Sequence, residues 1–210
     1  MDGAGAADRL TNVAGAGRPV LASLQIQERL EYPVRRPRIL RLSDILEADY
    51  ILLSAGLRSY ICEAARVCLD YHQLANLSTL RVAGAFRRSY RIDWASADEE
   101  TLRSHADLQE AVEQGAYGLA FLLITDLTEH SVIERSVKTT GFDFWLGDKV
   151  DKGLQRKARL EVSGILENPG KISGRTERKK RQTKRSDSVM LPAYVVIVEF
   201  SEPQSRVAKR

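Results

Sequence analysis

Cysteine and histidine are scarce in this chain of 210 residues, which has two cysteines and three histidines. Cys62 and Cys68 lie in one apolar stretch, so neither a disulfide framework nor a four-cysteine metal site can be built from them. The histidines, His72, His105 and His130, are scattered along the chain. We therefore expect the cysteines and His72 to pack in the interior, and we do not expect a zinc site.

Long apolar runs are also missing. The longest, such as Ala116 to Ile124, fall well short of the ~20 residues that a membrane-spanning helix needs. The segment from Met1 to Gly17 is rich in glycine and alanine and has neither the basic nor the apolar region of a signal peptide. These absences predict a cytoplasmic protein with no membrane partner and a flexible N-terminus over residues 1–19.

Apolar residues still make up 43% of the chain, which is enough to bury a real core. We interpret residues 20–100 as an N-terminal extension or subdomain and residues 101–210 as an α/β domain. In the first of these, Ser43 is predicted to cap a helix that runs from Ile45 to about Leu74 and is bent or divided at Gly56.

The second half begins with the strongest helix signal of the chain. Asp107 is predicted to cap a helix from about Leu108 to Thr128, and this helix is apolar on nearly every side. Such a helix must lie centrally in its domain. Gly115 and Gly118 are expected to let it pack closely against a sheet.

Four strands are predicted after this helix, and a possible basic helix lies between the third and the fourth. The predicted strands are Ser131–Arg135, Phe142–Leu146, Ala158–Val162 and Ala193–Phe200. The predicted fold class is therefore α/β, with a central mixed sheet and the element order αβββαβ.

Positive charge is concentrated in one segment. The chain has a net charge of +4, but residues 171–185 contain eight basic residues against the single acid Glu177 and so carry +7, which leaves −3 for the rest. This pattern predicts an anionic partner, and a nucleic acid would be bound through its phosphates without sequence preference; the alternative interpretation is a solvated or disordered linker. The predicted nucleic-acid-binding residues are Lys171, Arg175, Arg178, Lys179, Lys180, Arg181, Lys184 and Arg185.

Two acids stand on neighbouring predicted strands. Asp143 lies between two phenylalanines, and Glu161 shares a strand face with Arg159 and Ser163. Carboxylates that converge in this way suit Mg²⁺, which can activate a water molecule against a phosphodiester. Glu113 or Glu110, at the start of the predicted central helix, is a candidate third carboxylate. The alternative interpretation is that Asp143 ends or bends its strand and that Glu161 pairs with Arg159 or Arg135 on an exposed sheet face, where acids are usually only solvated.

The order αβββαβ, together with Gly141-Phe142-Asp143-Phe144-Trp145-Leu146 and Arg159-Leu160-Glu161-Val162-Ser163, resembles the core of the PD-(D/E)xK nuclease superfamily, which has the restriction-endonuclease-like fold. The resemblance covers about the last 105 residues. It implies a magnesium-dependent nuclease in which Asp143 and Glu161 bind the metal and Glu113, chosen over Glu110, supports them. Such a protein would bind DNA and hydrolyse it, as part of a defence or repair system. Paired cuts in a duplex would need two active sites, which a homodimer would supply.

The chain departs from the family pattern at one position. Ser163 stands where the pattern has a lysine, and the resemblance leaves Lys157, Arg159 or Lys171 as substitutes. The alternative is a domain that has lost cleavage and serves as a scaffold or as a nucleic-acid-binding subunit of a larger complex.

Overall fold

The computed structural model describes residues 37–149 and 154–210. The predicted flexible N-terminus and the first part of the predicted extension, up to residue 36, lie outside the described residues. From residue 38 onward the chain forms a mixed α/β structure with one eight-stranded sheet and five α-helices. Segments on both sides of residue 100 contribute strands to this sheet and side chains to its core.

The sheet is mixed, with spatial order β1-β3-β2-β8-β7-β6-β5-β4. The pairs β1/β3, β2/β8 and β6/β7 are parallel, and the other four pairs are antiparallel. The strands are β1 (Arg38–Arg41), β2 (Thr79–Gly84), β3 (Arg88–Asp93), β4 (His130–Arg135), β5 (Phe144–Asp148), β6 (Ala158–Ile165), β7 (Ala193–Glu199) and β8 (Gln204–Lys209).

Five α-helices and two 3₁₀ segments accompany the sheet. They are α1 (Asp44–Glu47), α2 (Ala55–Tyr71), α3 (Glu99–Ser104), α4 (Leu108–Leu127) and α5 (Ile172–Gln182), with 3₁₀ segments at Pro169–Lys171 and Thr183–Val189. In the part of the chain that the structure describes, no helix combines the length and the apolar character needed to cross a membrane.

The long helix predicted from residue 45 to residue 74 is two helices. The division comes before Gly56, which lies in the first turn of α2, because Ser54 caps that helix by accepting a hydrogen bond from the backbone N–H of Leu57. Ser43 occupies the N-cap position of α1 as predicted, but its side chain makes no capping hydrogen bond.

The central helix forms as predicted, because the Asp107 carboxylate accepts hydrogen bonds from the N–H groups of Gln109 and Glu110. Its residues are buried almost without interruption from Ala111 to Thr125. The predicted role of its glycines was wrong. A Cβ at Gly115 would lie 2.9 Å from the backbone of Ala65, so this side of α4 packs on α2 and not on the sheet.

The second half follows the predicted element order α4, β4, β5, β6, α5, β7. The strand predicted from Phe142 begins two residues later, at Phe144, so Asp143 lies just before β5 and not inside it. The patterns of β1, α3 and β8 were missed. β8 alternates polar and small residues, and it occupies a central position in the sheet between β2 and β7.

The two faces of β6 separate as alternation predicts. Leu160 and Val162 enter the main core beside α4. Arg159, Glu161 and Ser163 point to the opposite face, where they meet the segment from α5 to residue 191. This second face carries the polar groups of the candidate site.

Candidate active site

A cavity of about 680 Å³ opens where β5 separates from β6. β5 pairs with β6 only as far as Leu160, whereas β7 accompanies β6 to its end at Ile165. The second half of β6 therefore has a free edge, and the start of α4 and the first turns of α5 approach it. The cavity is lined by Leu108, Gln109, Val112, Glu113, Asp143, residues 162–167, Lys171, Arg175, Arg178 and Lys179.

Asp143 is fixed at this edge by two hydrogen bonds. Its N–H donates to the carbonyl of Leu160, and its carboxylate accepts from the N–H of Val162, both at 2.8 Å. The side chain thus satisfies a backbone donor of β6 that has no partner in β5. Gly141 precedes it with φ +86°, and a Cβ there would lie 2.4 Å from the carbonyl of Gln182. The turn that presents Asp143 is therefore held against the end of α5.

Glu161 is fully buried, and its partners come from α5. One carboxylate oxygen accepts hydrogen bonds from the Lys179 ammonium at 2.5 Å and from the Gln182 amide at 3.0 Å. Lys179 and Gln182 are three residues apart, so they lie on one side of the helix, above the sheet. The other oxygen, Oε2, is buried and has no hydrogen-bond partner among the described residues.

The carboxyl groups of Asp143 and Glu161 are close enough for each to affect the pKa of the other. Burial raises the pKa of Glu161 to about 8, and the charge of Asp143 adds to this rise against the opposing effect of Lys179. Burial also raises the pKa of Asp143, although its hydrogen bond from Val162 works in the opposite direction. Two like charges so close together are costly, which is why the charge of Asp143 raises the pKa of Glu161.

Glu113 approaches the same cavity from the first turns of α4. Its carboxylate accepts a hydrogen bond from the Tyr117 hydroxyl at 3.0 Å, and its charge contributes to the raised pKa of Asp143. The other candidate on this helix, Glu110, accepts a hydrogen bond from Tyr60 instead. Of these two acids, Glu113 is the one that lines the cavity.

Arg175 occupies the space beside Ser163, the position at which the family pattern has lysine. The guanidinium donates to the Ser163 hydroxyl at 2.9 Å and also reaches the carbonyl of Gly164. Burial lowers the pKa of Arg175, and the neighbouring charge of Arg178 lowers it further. A cation is therefore present next to Ser163, although it comes from α5 and not from β6.

Two of the substitutes expected for the missing lysine lie elsewhere. The Lys157 ammonium is 3.6 Å from the carboxylate of Asp148, at the opposite end of β5 from Asp143, and Lys157 does not line the cavity. Arg159 is buried and donates to the carbonyls of Thr183 and Leu191, so it anchors the segment after α5. Lys171, the third substitute, lines the cavity.

The basic segment forms α5 and the 3₁₀ segment that follows it. Lys171, Arg175, Arg178 and Lys179 line the cavity, so half of the predicted DNA-binding residues surround the carboxylates. The remaining four lie outside the cavity lining: Lys180 pairs with Glu177, and Arg181, Lys184 and Arg185 are exposed.

Lys179 was predicted to contact phosphate, and its bond to Glu161 was missed. The sequence contains only an indirect signal for that bond. Arg175, Lys179 and Gln182 are spaced by four and three residues, so a helix places all three on one side.

The side chains at the cavity fit a hard metal ion such as Mg²⁺ in some respects and not in others. Within residues 37–149 and 154–210, no three or more histidine, cysteine or acidic side chains are grouped as metal ligands would be. Asp143 and Glu161 nevertheless supply only oxygen donors, which Mg²⁺ prefers, and the buried Oε2 of Glu161 lacks a partner that a cation would supply. Two carboxylates with water ligands fit the usual coordination of Mg²⁺, which keeps several waters.

No protein-family model, curated protein or solved structure matches this chain.

Proposed function

We propose that residues 101–210 are a restriction-endonuclease-like domain that binds DNA and hydrolyses phosphodiester bonds with Mg²⁺. The observation that carries this proposal is the meeting of Asp143, Glu161 and Lys179 beside a cavity lined by further cations. Buried acids with raised pKa values in a cleft are typical of functional sites.

The arrangement of the elements supports the proposed fold. β4, β5 and β6 form an antiparallel meander, α5 crosses over, and β7 returns parallel to β6. α4 precedes the meander and packs on the opposite face of the sheet from α5. The order αβββαβ of these elements supports the proposal, and β8 and the N-terminal strands extend the sheet beyond β7.

Asp143 and Glu161 would hold the metal ion, and Glu113 would support it from α4. A bound Mg²⁺ would lower the pKa of a water ligand and neutralise charge on the scissile phosphate. The raised pKa of Glu161 means that this side chain must release a proton before it can serve as a ligand.

The cations of α5 supply what the missing family lysine would have supplied. The Lys179 ammonium contacts Glu161 and also faces the cavity, so it can stabilise negative charge on a phosphate bound there. Arg175, Arg178 and Lys171 can hold the flanking phosphates, because guanidinium groups bind such oxygens in pairs and ammonium groups bind them as point charges.

The decisive experiment follows the conversion of supercoiled plasmid to nicked or linear DNA by the purified full-length chain in Mg²⁺ and in EDTA. Asp143→Ala should abolish Mg²⁺-dependent conversion while leaving duplex binding nearly unchanged. Asp148→Asn is the matched control, because this acid ends β5, the strand that begins directly after Asp143, and pairs with Lys157 outside the cavity. Cleavage that survives Asp143→Ala at the wild-type rate would remove Asp143 from the mechanism.

A second candidate is a non-catalytic DNA-binding subunit of a larger complex. It is favoured by the Lys179–Glu161 ion pair, which occupies one carboxylate oxygen that a metal would need. This function predicts salt-sensitive duplex binding with no Mg²⁺-dependent conversion of plasmid at any enzyme concentration.

A further inference from the structure

The sheet carries a second cationic surface on the same face as α5. Residues that are directly paired across neighbouring strands share a face. Ile197 of β7, which packs under α5, is paired with Arg206 of β8, and Arg206 is paired with Ala83 of β2. The face that α5 covers over β7 therefore continues across β8 to the N-terminal strands.

Arginine recurs along this continuation. Arg81 of β2 pairs with Gln204, Arg91 of β3 pairs with Thr79, and Arg41 of β1 pairs with Asp93. The Arg81 and Arg41 side chains are 64% and 53% exposed, and Arg91 is also exposed. We define the arginine face as Arg41, Arg81, Arg91 and Arg206.

Three acids lie on or beside this face, and they are Glu199, Asp93 and Glu202. Glu199 is fully buried, and its carboxylate accepts hydrogen bonds from the N–H groups of Ser201 and Glu202, so it is not among the ion-pair partners of the arginines. Asp93 lies 3.5 Å from Arg41, and Glu202 lies 4.0 Å from Arg81 at the limit of an ion pair. Arg91 donates to the neutral hydroxyl of Thr79. Exposed pairs at such distances contribute little, so the guanidinium groups can exchange these partners for a stronger anion.

The arginine face also lies at the same end of the sheet as the cavity. The cavity is at the carboxyl end of β6, and the strand directions place Gln204, Arg81 and Arg91 at that end. With neighbouring strands about 4.8 Å apart, β3 lies about 14 Å from β7, which is roughly four base-pair steps of ~3.4 Å in DNA.

We propose that the arginine face binds the phosphate backbone of the same DNA duplex that α5 contacts, so that the duplex extends from the cavity across β8, β2 and β3. This inference rests on the proposed DNA binding by α5. The recognition is electrostatic and independent of sequence, because the face offers arginines and small polar residues and no base-reading element. It gives the N-terminal strands a role in holding the substrate.

The test compares the double variant Arg81→Gln/Arg91→Gln with the wild type in fluorescence-anisotropy titrations of a duplex of about 20 base pairs over a range of salt concentrations. Each phosphate contact contributes about 0.9 to the slope of log K against log salt, so the slope should fall by about 1.8. Arg103→Gln is the matched control, since this exposed arginine lies on α3 and pairs with Glu99. It should leave the slope unchanged.

A second pair of variants separates this inference from the proposed function. Arg178→Gln/Arg181→Gln on α5 should reduce the slope by a similar amount. Suppose that the α5 double variant binds the duplex more weakly while the Arg81/Arg91 variant keeps the wild-type slope of log K against log salt. DNA binding by the arginine face is then overturned, and the proposed function is retained. If the wild type does not bind the duplex at low salt, both are overturned. The single variants Arg81→Gln and Arg91→Gln, each expected to lower the slope by about 0.9, provide the measurement should the double variant fold poorly.

Discussion

Lys179 and Glu161 are 18 residues apart in the chain, and their ammonium nitrogen and carboxylate oxygen lie 2.5 Å apart. The Glu161 side chain is fully buried, whereas 19% of the Lys179 side chain is exposed toward the cavity. The ion pair therefore connects the interior of β6 to the space where a substrate would lie. It ties the basic helix to the sheet at the point where the buried carboxyl group of Glu161 and the half-buried one of Asp143 meet.

We expect Lys179→Met to lower the rate of Mg²⁺-dependent plasmid cleavage by about 10²- to 10³-fold, the usual effect of removing one group that stabilises transition-state charge. Lys180→Met should remain within a few-fold of the wild type, because Lys180 is the next residue of α5 and pairs with Glu177 at the surface. Circular dichroism of both variants verifies folding. Equal losses of cleavage rate in the two variants would show that only the net charge of α5 matters for cleavage, and not the position of Lys179.

The position of Ser163 allows a rescue experiment. Ser163 lines the cavity and accepts a hydrogen bond from Arg175, and the family pattern has lysine at this position. In the Lys179→Met background, Ser163→Lys should recover roughly 10-fold of the lost cleavage rate, since a cation is returned to the same cavity. Single-turnover cleavage rates measure the recovery. No gain in a variant that still binds duplex would mean that Lys179 acts only by holding α5.

Strong local signals explain why much of the fold could be predicted. The helix from Leu108 was found because it combines the Asp107 cap with a long apolar run, and both determine structure locally. Four of the five described strands of the second half, β4 to β7, were found from β-branched and aromatic residues. β1 and β8 were missed because they are rich in polar residues, and their place in the sheet depends on pairing with other strands, β1 with β3 at the edge and β8 with β2 and β7.

The acids of the candidate site could be predicted from the sequence, but the cation that contacts them could not. Asp143 and Glu161 come from adjacent segments that a β-meander must bring together, so their proximity follows from the predicted topology. The side chain that reaches Glu161 depends on the crossing angle and rotation of α5 on the sheet. Those are set by buried residues such as Ile172 and Thr176, which a basic sequence does not single out.

The pH dependence of stability tests the buried carboxyl pair. Because the pKa of Glu161 is raised from 4.5 to about 8 in the folded protein, its contribution to stability is complete below pH 4.5 and is lost as the pH rises through 8. In EDTA, the free energy of unfolding of the wild type should therefore fall by on the order of a few kcal/mol relative to that of Glu161→Gln between pH 6 and pH 9. Urea denaturation at several pH values measures the difference. Parallel stability curves for the two proteins would contradict the raised pKa.

Gly164 controls how closely α4 approaches the free edge of β6. A Cβ at this position would lie 2.2 Å from the carbonyl oxygen of Val112, and backbone on both sides leaves little room to yield. We expect Gly164→Ala to destabilise the fold by about 1–3 kcal/mol, as overpacking usually does, and to displace the turn of α4 that carries Glu113.

Gly174→Ala is the matched control. No atom lies within 4 Å of a Cβ at Gly174, and alanine is preferred over glycine in a helix by up to about 1 kcal/mol, so this variant should be as stable as the wild type or more stable. Denaturant midpoints at a constant m-value measure both effects. If Gly164→Ala were as stable as Gly174→Ala, the conclusion that a close contact between α4 and β6 positions Glu113 would be wrong.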